Sequence, residues 1–192
     1  MKLAVPMLTG AAFLTLASLL GGCASPARGD HMAATATPQQ RMVITPLRNN
    51  VAVLEVSGGQ ASNRLWASKV GNQDFSQALA LSLNDAGLLA VNASAARYTL
   101  SARMDRLEQP MTGIDLTVTA TISYSLVEKA SGREVFRRTE TVPYTAPFGD
   151  TFGAMDRMRL ANEGAVKANI ATVVEDLLAL PVDGGRPRSA HN

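Results

Sequence analysis

Apolar and polar residues alternate with a period of two over residues 116–126, where a threonine or serine separates successive apolar positions. Such alternation predicts a β-strand with one buried face and one solvated face. Residues 97–107 alternate in the same way. Residues 135–144 are less regular, because Arg138 and Glu140 stand in step with apolar positions. Short turn-forming segments separate these runs, so the pattern predicts an antiparallel meander of three strands.

Another strand and two helices complete the predicted fold. Residues 51–56 are rich in β-branched side chains and predict a strand. Residues 73–86 and 153–180 predict helices, and an apolar stripe on the second is formed by Val166, Ile170, Val173, Leu177 and Leu180. The order β-α-β-β-β-α predicts an α+β two-layer sandwich. We expect a mostly antiparallel four-stranded sheet, with both helices on one face and the threonine-rich face open.

The first 22 residues have the pattern of an export signal. Lys2 supplies a positive start, residues 3–20 carry no charge, and two glycines precede Cys23. The stretch Leu20-Gly21-Gly22-Cys23 resembles the lipobox of bacterial lipoproteins. That resemblance implies cleavage before Cys23, a diacylglycerol on its thiol and a further acyl chain on the new amino terminus. Several acyl chains on one residue exceed what stable membrane anchoring requires.

The residues after Cys23 bear on which membrane holds the anchor. In enterobacterial lipoproteins, whose lipobox residues 20–23 resemble, an aspartate directly after the cysteine marks retention in the inner membrane. Ala24 and Ser25 stand here instead. The resemblance therefore implies the periplasmic face of the outer membrane.

Composition divides the chain into four parts. Residues 1–22 are the predicted signal peptide. Residues 23–49 predict a lipidated flexible tether, because residues 24–40 are rich in Ala, Pro, Thr and Gln without apolar periodicity. Residues 50–180 form the predicted α+β domain, and the polar residues 181–192 predict a disordered tail.

Charge and residue usage argue against several kinds of function. Without Lys2 the chain has 17 basic and 16 acidic side chains, and no clustering on one face predicts a nucleic-acid site. Lipid would consume Cys23, the single cysteine. His31 and His191, the two histidines, lie in segments predicted to be disordered, which leaves the folded part without the usual general base or metal ligand. We therefore expect no catalytic residue, metal or cofactor.

The loop between the last strand and the last helix is the main candidate for partner binding. It carries Tyr144, Phe148 and Phe152, and exposed loop aromatics are typical of binding surfaces. In the alternative interpretation the two phenylalanines fold into the core, and polar side chains of residues 157–165 order the loop.

Two other sets of residues are weaker candidates. A flat polar strand face at Thr117, Thr119 and Thr121 could contact a sugar, peptidoglycan or protein, although any solvated sheet shows such a face. A second set consists of the carboxylates Asp105, Glu108 and Asp115, whose oxygens are typical cation ligands. A solvated loop is the simpler interpretation of these carboxylates.

The predicted architecture over residues 50–180 resembles small envelope lipoproteins, namely the lipoprotein of the lipopolysaccharide-assembly barrel, auxiliary lipoproteins of ABC-type lipid transport and activators of penicillin-binding proteins. This resemblance implies a non-enzymatic assembly or transport accessory that binds an envelope protein or a glycolipid. Two alternatives remain open. One is an envelope hydrolase or transferase that uses carboxylates alone, and the other is a structural lipoprotein that contacts peptidoglycan.

Replacement of the lipobox cysteine tests the predicted anchor. We expect Cys23→Ser to accumulate as the unprocessed precursor and to lose the acyl mass of its amino-terminal peptide, because serine has no thiol to accept the diacylglycerol. Immunoblotting and mass spectrometry of membrane fractions measure both. Globomycin treatment of the wild type should also accumulate an uncleaved precursor, but one that carries the diacylglycerol on Cys23. Normal maturation and equally tight membrane association of Cys23→Ser would contradict the prediction.

Overall fold

The computed structural model describes residues 26–60, 69–110, 115–151 and 153–181. Cys23, Trp66, Phe152 and His191 lie outside the described residues. The elements in chain order are α1 Gly29–Met32, α2 Pro38–Met42, β1 Val51–Ser57, α3 Asn72–Asp85, β2 Tyr98–Glu108, β3 Leu116–Glu128, β4 Glu134–Ala146, a 3₁₀ turn Phe148–Asp150 and α4 Ala154–Ala179. In the described ranges, no helix combines the length and hydropathy that a membrane span requires.

The four strands form one sheet in the order β1-β2-β3-β4. The predicted meander is confirmed, because β2–β3 and β3–β4 are antiparallel pairs. β1 runs parallel to β2, so the mostly antiparallel sheet includes one parallel pair. The reason is the intervening helix α3, which returns the chain to the end of the sheet where β1 began.

Helix α4 runs antiparallel to β4 and explains the irregular alternation in that strand. Arg138 and Glu140 point to the helix side, where Arg138 pairs with Glu140 and lies 3.5 Å from a carboxylate oxygen of Asp176 on α4. Asn169 of α4 donates to the carbonyl of Glu140 at 3.0 Å and accepts from the hydroxyl of Tyr124 at 2.9 Å. Burial raises the pKa of Tyr124 above its usual range, so its hydroxyl remains a neutral donor.

The prediction of a flexible tether over residues 23–49 is wrong for residues 27–36, which are packed on the domain. Residues 27–36, which we call the N-terminal strap, pack between α3 and α4 and include α1. Met32 is completely buried, and Ala27, Ala34 and Ala36 are each at most 7% exposed. Small apolar side chains bury little area each, but together they fill the seam between two helices that would otherwise stay open to water.

Backbone hydrogen bonds fix the strap along α3. Ala34 N–H donates to Ser82 Oγ at 2.8 Å, and Ala36 N–H donates to Asp85 Oδ2 at 2.7 Å. A Cβ at Gly29 would lie 2.6 Å from the side-chain oxygen of Gln77, so the backbone approaches this helix too closely for a larger residue. A hydrogen bond from Arg41 holds the pKa of the Asp85 carboxyl below its usual range. The carboxylate that accepts from the strap therefore stays charged at neutral pH.

Substitutions at two methionines distinguish a packed strap from a flexible tether. We expect Met32→Ala to destabilise the chain without residues 1–22 by about 2–5 kcal/mol, because it opens a cavity in the core. The matched change Met42→Ala, at a side chain 79% exposed, should alter stability by less than about 0.5 kcal/mol. Urea unfolding measures both values, and equal small effects would favour a tether.

Candidate functional site

Tyr144, near the end of β4, packs against the third turn of α4. The side chain is 40% exposed. A Cβ at Gly164 would lie 2.3 Å from the Tyr144 ring, so glycine allows the ring to rest directly on the helix backbone. This contact holds one half of an aromatic ring against a rigid element and leaves the other half free for a partner.

Phe148 lies beyond the end of β4 and remains 51% exposed. The guanidinium of Arg157 stands over its ring, 4.7 Å from the ring centre. The Phe148 N–H donates to Asp115 Oδ1 at 3.0 Å, and Arg157 Nη1 donates to the carbonyl of Thr151 at 3.0 Å. Arg157 thus orders the loop, as one interpretation of the sequence expected, but Phe148 does not fold into the core.

The two described aromatics of the predicted partner site therefore lie along the same side of α4. Gly164 and Arg157, the residues under their rings, are seven positions apart, which is about two helical turns and about 10 Å along the axis. Phe152 lies outside the described residues, and its part in the site stays a prediction. We call the exposed faces of Tyr144 and Phe148 the aromatic surface.

Exposed charges beside Phe148 are acidic. Asp115 and Asp150 are exposed, and the Asp156 side chain is 57% exposed. Two arginines lie close to these carboxylates but are less exposed: Arg157 is 6% exposed against the ring, and the Arg159 side chain, 3.9 Å from Asp156, is 19% exposed. The charges most exposed around Phe148 are therefore carboxylates.

A cluster around the buried carboxylate of Glu163 joins the strap to α4. Arg28 N–H donates to Glu163 at 3.0 Å, Arg159 donates to it at 3.1 Å, and His31 Nδ1 lies 3.2 Å from its other oxygen. The expectation that the folded part has no histidine is thus wrong. The segment of His31 is rich in Ala, Pro, Thr and Gln, which predicts disorder, yet buried Met32, Ala34 and Ala36 alternate with the more exposed Ala33 and Thr35. That period of two was the available signal.

The open face of the sheet carries a ladder of cross-strand hydroxyl contacts. Thr117 meets Thr145 at 2.8 Å and Thr121 meets Thr141 at 3.1 Å. The ladder continues at 2.8 Å between Ser123 and Thr139. Two of the three predicted threonines therefore already have partners on β4, as a solvated sheet face would provide.

A shallow groove of about 440 Å³ crosses this face, lined mainly by serine, threonine and arginine side chains. Its arginines already have carboxylate partners, with Arg103 2.8 Å from Asp105 and Arg137 donating to Glu134 at 2.8 Å. Hydrogen bonds from Ser125 and Arg137 lower the pKa of Glu134. The groove thus offers neutral hydroxyls, two arginines paired with carboxylates, and the carboxylate of Glu55.

The structure does not assemble a cation site from the three carboxylates singled out in the sequence. Asp105 pairs with Arg103, Glu108 pairs with Arg106, and Asp115 accepts from the backbone of Phe148. Over the described ranges there is no group of three or more His, Cys, Asp and Glu placed to hold a metal ion.

The glycine under Tyr144 provides a test of the aromatic surface. In Gly164→Ala the new methyl group would overlap the ring, so we expect Tyr144 to swing outward and its nitration by tetranitromethane to rise roughly two-fold. Gly149→Ala is the matched control, because nothing lies within 4 Å of a Cβ there. Peptide mass spectrometry measures nitration at Tyr144. An unchanged rate in Gly164→Ala would show that the ring does not rest on Gly164.

No family model and no curated protein sequence matches this chain. Solved structures do match its fold. A Xanthomonas campestris protein of family DUF330 superposes with a TM-score of 0.54 and 16% identity, covering 77% of this chain and 92% of the other. A candidate lipoprotein of Caulobacter crescentus gives a TM-score of 0.49 at 16% identity, covering 69% and 90%.

A minor lipoprotein of Acinetobacter baumannii gives a TM-score of 0.40 at 11% identity, covering 65% of this chain and 92% of the other. At such low sequence identity a structural match shows a shared fold and nothing more, and the match to the Xanthomonas protein is close enough to show it. The chain therefore shares the α+β fold of that DUF330 protein.

Proposed function

We propose that this chain is a lipid-anchored envelope lipoprotein, on the periplasmic face of the outer membrane, that serves as a non-enzymatic assembly or transport accessory. It binds an envelope protein through the aromatic surface at Tyr144 and Phe148. Cys23 carries the lipid.

The packed strap is the observation that carries this proposal. Ala27 is 1% exposed and belongs to the core. An extended chain spans at most about 3.5 Å per residue, so Ala27 lies within about 14 Å of Cys23. A tether that ran free to residue 49 could reach about 90 Å. The domain is therefore held at the membrane surface, where a membrane-bound assembly would be within its reach.

The chemistry of the open groove favours binding over catalysis. A hydrolase that uses carboxylates alone needs two of them facing each other across a cleft. Glu55 lines the groove. The carboxylates beside it, Asp105 and Glu134, are each held by an arginine and a serine of the groove, so no two free carboxylates face each other there among the described residues. Asp176, which the sequence places beside Glu175, instead lies against Arg138.

The aromatic surface fits a protein partner because rigid, half-buried aromatics are typical of interface hot spots. Tyr144 is held by the backbone at Gly164, and Phe148 is held by Arg157 and by Asp115. Their side chains lose little further freedom on binding, which lowers the entropic cost of forming a complex.

Contact with peptidoglycan is a second candidate, and the hydroxyl-lined groove favours it. Ser101 could donate to glycan oxygens. Ser123 and Ser125 donate to Asp105 and Glu134, so their hydroxyl oxygens could accept from glycan hydroxyls. Sedimentation with purified sacculi tests this role. Loss of binding in Ser101→Val/Ser125→Val, with wild-type binding by Phe148→Ser, would assign the groove to glycan and contradict the proposed partner surface.

Co-purification in mild detergent tests the main proposal. We expect the processed wild-type protein to recover a stoichiometric envelope protein, and Phe148→Ser to lose it by about ten-fold, because a truncated aromatic hot spot costs more than about 1 kcal/mol. Ile44→Ser is the matched control, since Ile44 is 99% exposed at the other end of the domain. Recovery of the wild type alone in repeated experiments would count against an accessory role. Equal loss in both variants would remove the assignment to Phe148.

A further inference from the structure

We infer that the partner is a membrane-embedded envelope protein that presents a basic segment at the membrane surface to Phe148 and its acidic neighbours. This inference rests on the proposed function, because it requires the lipid at Cys23. It adds the orientation of the domain and the chemistry of the partner.

The direction of the strap places Phe148 at the membrane end of the domain. The strap contacts α3 near Gln77 through Gly29, at Ser82 through Ala34, and at Asp85 through Ala36. Traced backward, it therefore runs from the end of α3 toward its beginning. The chain that leads to Cys23 leaves the domain at the end where α3 begins.

The loop with Phe148 lies at that same end. β1 and β2 are parallel, and α3 begins after the end of β1. The end of β4 pairs with the start of β3, whose residues Thr119 and Ala120 pair with the end of β2. The ends of β1, β2 and β4 and the starts of α3 and α4 therefore share one end of the domain. Since Ala27 lies within about 14 Å of the lipidated residue, Phe148 faces the membrane surface.

The charges beside Phe148 select a basic partner over lipid headgroups. Asp115, Asp150 and Asp156 are exposed, whereas Arg157 is 6% exposed against the ring and the Arg159 side chain, 3.9 Å from Asp156, is 19% exposed. The three carboxylates outnumber the two less exposed arginines, so the surface that a lipid phosphate would approach is negative on balance. Lysine or arginine side chains would be attracted, and electrostatic complementarity of this kind gives an interface its orientation and specificity.

The opposite end of the domain provides the contrast. Val91 is completely exposed in the loop that precedes β2, close to the start of β1, where Val51 bridges Leu89. That loop points away from the residues that lead to Cys23. While the strap is packed, Val91 lies farther from the membrane surface than Phe148 does.

Site-specific crosslinking in intact cells tests the inference with the full-length, lipidated chain. A photoreactive phenylalanine derivative replaces Phe148 in one strain and Val91 in a matched strain. We expect position 148 to form an adduct with an integral membrane protein, and the crosslinked peptide to be a Lys/Arg-rich segment next to a membrane span. Position 91 should not form that adduct.

The charge requirement is tested in the same strain. With the crosslinker at position 148, D150N/D156N should lower the adduct about ten-fold, because two favourable interactions with the basic segment are lost. Glu175→Gln removes an exposed carboxylate from the far part of α4 and should leave the adduct unchanged. If D150N/D156N reduces the amount of folded chain, the wild-type complex in detergent should still dissociate progressively as salt is raised.

Three results would overturn the inference. Adducts with lipid alone would make Phe148 a lipid contact. If neither D150N/D156N nor salt affects the adduct with a membrane protein, the partner does not bind through a basic segment. If position 91 instead of position 148 crosslinks to that protein, the domain is oriented the other way round on the membrane. Mass spectrometry of the amino-terminal peptide from the same cells reports lipidation separately, so failure of the proposed anchor is distinguished from failure of this partner.

Discussion

The contact between the N-terminal strap and the seam between α3 and α4 is the constraint on which the rest of the structure depends. Two helices that cover one face of a sheet leave a groove between them, and Met32 fills it with a completely buried side chain. Ser82, Asp85 and Glu163 accept backbone N–H groups of the strap, so burial does not leave these donors unsatisfied. The same contact determines where the chain leaves the domain toward Cys23.

A second constraint is the antiparallel alignment of α4 with β4, which places the aromatic surface. Gly164 lies under Tyr144, Asn169 donates to the strand backbone, and Asp176 approaches Arg138. These contacts follow one another in register along both elements, so the position of α4 is defined over most of its length. Phe148 is then held by Arg157 at the start of the same helix. The positions of Tyr144 and Phe148 therefore depend on packing along the whole of α4.

Local sequence patterns predicted the strands and the two long helices, but they did not predict which residues of distant elements pack against one another. The alternation in residues 116–126 reported a real buried face, since Leu116, Val118 and Ile122 are at most 5% exposed. The imperfect alternation around Arg138 had a cause that periodicity cannot show, because its partner carboxylate lies on α4. In the strap, alternation was present but carried by alanine, whose small apolar area resembles a linker composition. Tyr144 and Phe148 are both exposed, which the sequence had left open for Phe148, and their positions depend on contacts with Gly164 and Arg157.

The sequence by itself determined the four strands, the two long helices, the one-sided character of the sheet and the lipobox-like pattern at Cys23, because each depends on residues close together in the chain. Only the tertiary structure decided that the strap is packed, that His31 meets Glu163, and that Phe148 stands over Arg157 beside Asp115. The strap contacts join residues 132 and 135 positions apart. Local propensity contains no information on such pairs, since the free energy that forms them comes from burial against surfaces that exist only after the sheet and helices have assembled.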